Sequence, residues 1–408
     1  MNKAGGSAWS PLRHGPFALL WTASLISNTG SWMHDVSASW LMTTLDPTPW
    51  KVALVQAATT LPVCLLAFPA GTLADRMDKR RLLLLDQFAM LLLAALLGVL
   101  TLSGVTGTAT LLAVTFGLGV CTAIMSPTWQ SIIPRLVPKQ ELQPAVALHA
   151  VGINISRAIG PAVGGLIIVA LGVAWPFLIN AASFLVVIVA LWCWKPAAAD
   201  MPKAAPVPFV KALREGLAHA ADNRALKNTL VRSVLFYVFG SCYWALLPLI
   251  AREQLHGKAK LFGILMGCIG AGAVAGALLL PRLRARFGLD RVLVLGTLGT
   301  AAAMTGFALF HQQLAGILAA LLAGASWIAA LSSLNVAAQL AVPDWVRARG
   351  MALYTTVFYG CLALGSLMWG QVATHLALPS ALLLAAGGAV AGLAASRGLP
   401  LQTVKTKT

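Results

Sequence analysis

The sequence predicts an all-α membrane protein, with twelve transmembrane helices in two pseudo-symmetric six-helix bundles. Three observations carry this. Apolar residues make up 59% of 408 and charged residues only 10%, against about 25% charged in soluble globular chains. The apolar residues come in continuous blocks long enough to cross a hydrocarbon core, which takes about 20 residues. They lack the alternation of a barrel strand. Basic residues, finally, collect on alternate loops.

Glycine, proline and charged breaks place the spans at 17–45, 51–74, 82–103, 108–133, 145–171, 173–194, 226–250, 260–280, 291–310, 314–340, 350–376 and 379–396. The first sixteen residues, MNKAGGSAWSPLRHGP, are polar, and no small-residue cleavage site follows the first block. The first span is therefore expected to be retained. With the N-terminus inside, 23 of the 29 Lys and Arg fall on inner segments. Four, Lys51, Arg252, Lys258 and Lys260, fall on outer loops, and Arg157 and Arg232 lie within spans. This bias orients the chain with both termini cytoplasmic, in a plasma (inner) membrane. It explains the net charge of +17 without nucleic acid and sets a basic face against anionic lipid. All six cysteines sit in apolar blocks without a CxxC pair, as small buried side chains rather than metal ligands.

The longest polar stretch is Pro- and Ala-rich, as linkers are, and continues into an amphipathic segment, VKALREGLAHAADNRALKN. It divides an N-terminal six-helix bundle, 1–194, from a C-terminal one, 226–408, with 195–225 as cytoplasmic linker. The halves repeat. GTLADRMDKRRLLL after the second span faces PRLRARFGLDRVLV after the eighth; GPAVGG at 160 faces GSLMWG at 365. Duplicated halves of this kind are an arrangement of secondary transporters, with the substrate site between them.

GTLADRMDKRR (71–81), SRAIGPAVGG (156–165) and the run PTWQSIIPRLVPKQELQPAVALHAVGINISRAIGPAVGG resemble the major facilitator superfamily, from end to end. With GSWMHDVSASWLM the chain is similar to the enterobactin exporter-like subgroup, the transmembrane secretion effectors. The resemblance implies the major facilitator fold and a cavity lined by spans one, four, seven and ten. It also implies a conformational latch of Gly71, Asp75, Arg76 and Arg80 against the start of span eleven near Arg349, where a helix N-terminus favours a carboxylate. The alternative for the basic run is a solvated loop obeying topology. Two departures stand out: Asp78 occupies a position where the family has glycine, and span four lacks the arginine of many drug exporters. The soluble C-terminal region of many relatives is not expected here.

Gly160, Pro161, Gly164 and Gly165 form the exporter motif of span five. Proline removes a backbone hydrogen bond and bends the helix, while the glycines allow close approach. Gly263, Gly267, Gly272 and Gly276 in span eight offer a matching ladder, so these faces are expected to pack across the half–half boundary. Ordinary bundle packing is the alternative.

Asp35 is the acid placed deepest in a span. Ser24, Asn28, Ser31, Asp35 and Ser39 share one face of span one, and a polar stripe must face a cavity rather than lipid. A lone charge at that depth costs about 2.5–3.5 kcal/mol. Asp35 can take up a proton or pair with Arg157, at similar depth on span five. The proton-coupling candidates are Asp35, Arg157 and His34; a static ion pair, and a packing role for His34, are the alternatives. Cavity candidates are Asn28, Ser31, Trp32, Gln130, Asn154, Arg232, Tyr243, Ser332, Asn335 and Gln339.

The expected function is a secondary active transporter: proton-coupled export of a small amphipathic organic molecule (siderophore, drug or metabolite) by alternating access. An uncoupled facilitator or lipid-type carrier is the alternative within the fold, and a non-transporting scaffold is the alternative outside it. There is no Walker loop, no cluster that would suit an enzyme, and no need for a cofactor or metal. The expected partners of the monomer are its substrate, protons and membrane lipids.

Overall fold

The structure, a computed structural model, describes residues 9–194, 223–342 and 347–401, with the backbone alone at 67, 68, 71, 72, 74–76 and 347–349. Its helices are α1 (Gly15–Leu45), α2 (Pro49–Arg76), α3 (Lys79–Leu102), α4 (Thr108–Ile132), α5 (Leu142–Leu171), α6 (Trp175–Cys193) and α7 (Arg224–Leu249). The stretch Ala259–Leu309 is divided at Gly288, whose φ of 77° and ψ of 172° are not helical. We number its arms α8 (259–287) and α9 (289–309). α10 (Gln313–Ala341), α11 (Arg347–Leu376) and α12 (Leu378–Ala395) follow. No strand occurs among the described residues. Most of the expected linker lies outside them; its last residues, Arg224 and Ala225, already belong to α7, which Asn223 caps by accepting from the Leu226 N–H.

Ten helical stretches among the described residues are long and apolar enough to cross a membrane, with Ala259–Leu309 counted once. α1 is 31 residues long but falls outside that set, because its polar stripe dilutes its apolar content. With α1 and both arms of the divided helix, the total is consistent with twelve spans.

Consecutive helices reverse direction, giving the bundle two ends. One holds the α1–α2 turn at Asp46; the other holds the α2–α3 turn beside Arg80. The Asp46 carboxylate accepts from the Thr48 N–H at 3.0 Å and the Lys51 ammonium at 2.5 Å, ahead of a proline in the first turn of α2. These donors, Lys51 foremost, hold the Asp46 carboxyl down at about 2. Asp78 accepts from the Arg81 N–H at 2.8 Å and caps α3. That gives a physical role to the acid standing where the resembling family has glycine.

Within the first six helices, α1 packs on α5 and α6, α2 on α4, and α3 on α4 and α6. Within the last six, α7 packs on α11 and α12, and α10 on the α8–α9 stretch. The two sets meet chiefly along α2–α11 and between α5 and the α8–α9 stretch.

The glycine ladder is corrected in detail. A Cβ at Gly165 would stand 2.8 Å from the Gly263 Cα, and one at Gly263 would stand 2.8 Å from both the Gly165 Cα and the Pro161 carbonyl. Gly267 faces Ala162 and Ala158, and Gly270, which sequence reading missed, faces Ala158. Gly160 and Gly164 pack instead on α1, against Trp32, Thr29 and Met33. Gly272 and Gly276 pack on α10, against Leu321 and Ala325. The reason is angular. Nine residues turn an α-helix through about two and a half revolutions, so Gly272 points opposite to Gly263.

Candidate functional site

A cavity of about 300 Å³ lies between the two sets of helices. Trp32, Asp35 and Ser39 reach it from one face of α1, at the i, i+3, i+7 spacing that aligns helical side chains. Arg157 enters from α5, Thr122 from α4, and Gln56, Thr59 and Thr60 from α2. The second set supplies Trp244 from α7, Phe262 and Met266 from α8, Trp327 and Leu331 from α10, and Phe358 and Tyr359 from α11. Spans one, four, seven and ten thus contribute as expected, and α2, α5, α8 and α11 contribute as well.

Asp35 and Arg157 share this cavity without forming the anticipated ion pair. The ion pairs among the described residues are His14–Glu141, Lys51–Asp46 and Arg232–Asp290. Arg157 instead lays its guanidinium over the Trp32 ring, 5.2 Å from the centroid, an attraction of a cation to the ring face. Its Nε has no hydrogen-bond partner. Both charges therefore face the cavity, held there by different neighbours rather than by each other.

His34 does not join them. It is buried and meets Phe177 of α6 edge-on at 4.7 Å, with neither ring nitrogen hydrogen-bonded. One residue of helix turns a side chain about 100°, which takes His34 from the cavity face into the helix interface.

Several cavity candidates lie elsewhere. Arg232 is buried and donates to Asp290 at the start of α9 and to the Leu399 carbonyl. Its long stem carries its charge to the Arg80 end. Tyr243 is fully buried beside Phe307 and Trp327, behind the cavity wall. Asn154 bonds to its own helix at the Ala150 carbonyl. Ser332 accepts from Arg284 at 2.7 Å, and Gln339 donates to Asn335 at 2.6 Å. Asn335 stands one turn beyond Leu331 toward the Arg80 end, so this face continues the wall past the cavity. Asn28, Ser31 and Gln130 are partly or fully exposed and do not line the cavity.

The two sets are joined at the Asp46 end. The Trp50 N–H donates to the Thr374 hydroxyl at 3.1 Å, and Arg252 donates to the Thr43 carbonyl. Trp40 stacks on Phe262 at 6.1 Å, and Gly165 meets Gly263. Near mid-depth, the Cys64 thiol lies 3.5 Å from the Thr356 carbonyl. The side chains of Gly71, Asp75, Arg76 and Arg349, expected as the latch, lie outside the described set. Arg80 donates to the Leu191 and Trp192 carbonyls at 2.7 and 2.8 Å. It closes the C-terminus of α6, where a cation also complements the helix dipole, within its own half.

Sequence reading missed the α2 contribution, although Gln56, Thr59 and Thr60 recur at i, i+3, i+4 and could have been read as a polar stripe. In the fold Asp86 is buried between α3 and α4 beside Cys121, with Oδ2 unpartnered.

A family model described as transmembrane secretion effector matches residues 6–408. The staphyloferrin A transporter of Staphylococcus aureus is 26% identical over 358 residues, covering 85% of this chain and 87% of that protein. The enterobactin exporter EntS of Salmonella typhimurium is 25% identical over 373 residues, covering 88% and 85%. Among solved structures, a mutant of the nucleoside transporter NupG superposes with a TM-score of 0.79 at 14% identity, covering 94% of this chain and 99% of that one. A mutant of the peptide transporter POT gives 0.78 at 12%, covering 94% and 93%. These similar proteins are transporters rather than enzymes, and the structural likeness establishes the fold.

Proposed function

Because the chain belongs to the transmembrane secretion effector family of multi-pass membrane transporters, we propose that it is a proton-coupled secondary exporter of a small amphipathic organic molecule, working by alternating access. The observation that carries this reading is the unpaired carboxylate of Asp35 in a cavity between two helix sets. A carboxylate in such a place is stable only while it exchanges its charge for a proton or a partner. Arg157, resting on Trp32, is the partner available. When Asp35 holds a proton, Arg157 stays on the ring. When the proton leaves, the bare carboxylate needs a positive partner, which Arg157 can become only by leaving the Trp32 ring and bringing the two helices with it.

In this reading 1–194 and 226–408 are the two rocking bundles, joined by the linker at 195–225. Both termini lie on the cytoplasmic side of the inner membrane in this reading, which the distribution of basic residues supports. The Asp46 end then faces outward, and the contacts of Arg252, Trp50 and Gly165–Gly263 that join the two sets there support an inward-facing reading. The latch of Gly71, Asp75, Arg76 and Arg80 with Arg349 would form in the opposite state. The names of the relatives, a staphyloferrin A transporter and an enterobactin exporter, favour a siderophore among the amphipathic cargoes. Trp32, Trp244, Phe262, Trp327, Phe358 and Tyr359 line the cavity and suit the apolar part of an amphipathic molecule. The protein works as a monomer.

The test is uptake into everted membrane vesicles under an imposed pH gradient. Concentrative uptake that stops when nigericin collapses the gradient supports proton coupling. Uptake that proceeds unchanged after collapse identifies an uncoupled facilitator and overturns it.

A further inference from the structure

We infer that the cavity is a dipolar site built for a zwitterionic, ring-bearing small molecule, its ammonium at Asp35 and its carboxylate at Arg157; this rests on the transport reading above. Asp35 and Arg157 both line one cavity, and among the described residues neither has an ion-pair or hydrogen-bond partner. Two opposite charges held apart in a largely apolar chamber are each under-solvated. Pairing them directly would relieve both, yet Arg157 is held on Trp32 instead. A ligand carrying one charge relieves one of them and leaves the other exposed to apolar walls. A ligand carrying both satisfies the carboxylate and the guanidinium together, each through charge-assisted hydrogen bonds.

The remaining walls set the rest of the ligand. Six aromatic rings enclose the chamber, with Trp244 and Trp327 edge-to-face at 5.5 Å. They offer flat apolar faces to a ring of the substrate. Gln56, Thr59, Thr60, Ser39 and Thr122 supply neutral hydrogen-bonding groups from the first set of helices. A free amino acid lacks the apolar bulk to fill the space, and a hydrocarbon lacks partners for the charges. An aryl-substituted amino acid, or a conjugate presenting the same three features, has the matching chemistry.

The assignment also gives the coupling its sign. The substrate ammonium and a proton compete for the same Asp35 oxygens, so binding one expels the other, as exchange requires. The other charged or titratable lining groups are Arg157 on α5 and Tyr359 on α11; His34 faces α6. Neither Arg157 nor Tyr359 offers the ammonium a carboxylate.

The test is isothermal titration of the full chain in detergent with four probes of one shape. They are 1-naphthylalanine (zwitterion), 3-(1-naphthyl)propionate (anion), 2-(1-naphthyl)ethylamine (cation) and 3-(1-naphthyl)propionamide (neutral). The zwitterion is expected to bind at least tenfold more tightly than any other probe, and to weaken as pH falls. Arg157→Gln should cost the two carboxylate probes about tenfold and spare the amine. Asp35→Asn should do the reverse. The probe ranking needs no variant and so survives a folding failure in either. Equal affinity for anion, cation and zwitterion, or losses that do not follow the probe's functional group, overturns the assignment. If no probe binds while vesicles still concentrate another solute under a pH gradient, the dipolar site is wrong and the exporter reading stands. If the ranking holds without gradient-driven uptake, the site stands and the exporter reading falls.

Discussion

Replacing Gly263 by valine tests whether closure of the Asp46 end is one of two alternating states. At this position a Cβ would lie 2.8 Å from the Gly165 Cα and 2.8 Å from the Pro161 carbonyl oxygen. Both are backbone atoms, so no rotamer change relieves the clash. Ordinary carbon contacts lie near 3.5–4.0 Å, so α5 and α8 must separate by roughly 1 Å. Overpacking of this kind costs about 1–3 kcal/mol. The cost falls on the state in which these helices touch. A two-state transporter therefore shifts about 5–150-fold toward the state with this end open. Spin labels on Leu171→Cys and Lys258→Cys, at the ends of the two helices, report the change by pulsed electron resonance as a gain in the longer-distance population. Gly276→Val is the control. Its Cβ meets Ala325 at 2.9 Å, within the last six helices, so it should lower thermal stability and leave the 171–258 distances alone. Identical distributions for the native protein and Gly263→Val, or an equal shift in Gly276→Val, would refute the reasoning.

Other expectations follow from single contacts. A Cβ at Gly360 stands 3.2 Å from the Cys64 Sγ, within disulfide geometry. Gly360→Cys, with the other five cysteines replaced, should crosslink α2 to α11 on mild oxidation and stop transport until reduced. Asp290→Ala leaves the buried Arg232 with the Leu399 carbonyl alone. Because Asp290 is 38% exposed, the cost is set below that of a fully buried pair, at about 1–3 kcal/mol, read as a lower Tm in detergent. The Asp46 carboxyl, held at about 2 by Lys51 and Thr48, stabilises the α1–α2 turn fully above the ordinary carboxylate value near 3.9. That contribution disappears as pH falls toward about 2. Lys51→Ala should move the Asp46 titration upward, seen by carboxyl-carbon NMR.

Hydropathy and charge bias made the helical framework legible, because lipid forces long apolar runs on any spanning helix. The same physics hid part of the site. α1 falls outside the helices apolar enough to count as spanning while it carries Trp32, Asp35 and Ser39 to the cavity, so its departure from the pattern was itself the signal. Position along a helix and angle around it can be read from sequence, which is why Asp35 and Arg157 were placed at one level. Which helix a face meets cannot be read this way. Hence Gly160 and Gly164 found α1 rather than α8, and Asp86 turned into the α3–α4 interface. Nor can the partner of a long side chain: Arg232 starts on α7 and carries its charge to Asp290 of α9. The absence of an Asp35–Arg157 pair was not legible either, because Trp32 competes for the guanidinium at a distance that sequence does not encode.

Proton coupling through Asp35 is tested most directly by separating exchange from accumulation in reconstituted vesicles. With substrate raised about tenfold to offset its weaker hold, Asp35→Asn should still exchange labelled for unlabelled substrate across the membrane, since exchange needs only the loaded carrier to alternate and Arg157 still lines the cavity. It should fail to concentrate that substrate under a pH gradient. Accumulation by Asp35→Asn at the native rate and gradient dependence would contradict the coupling role.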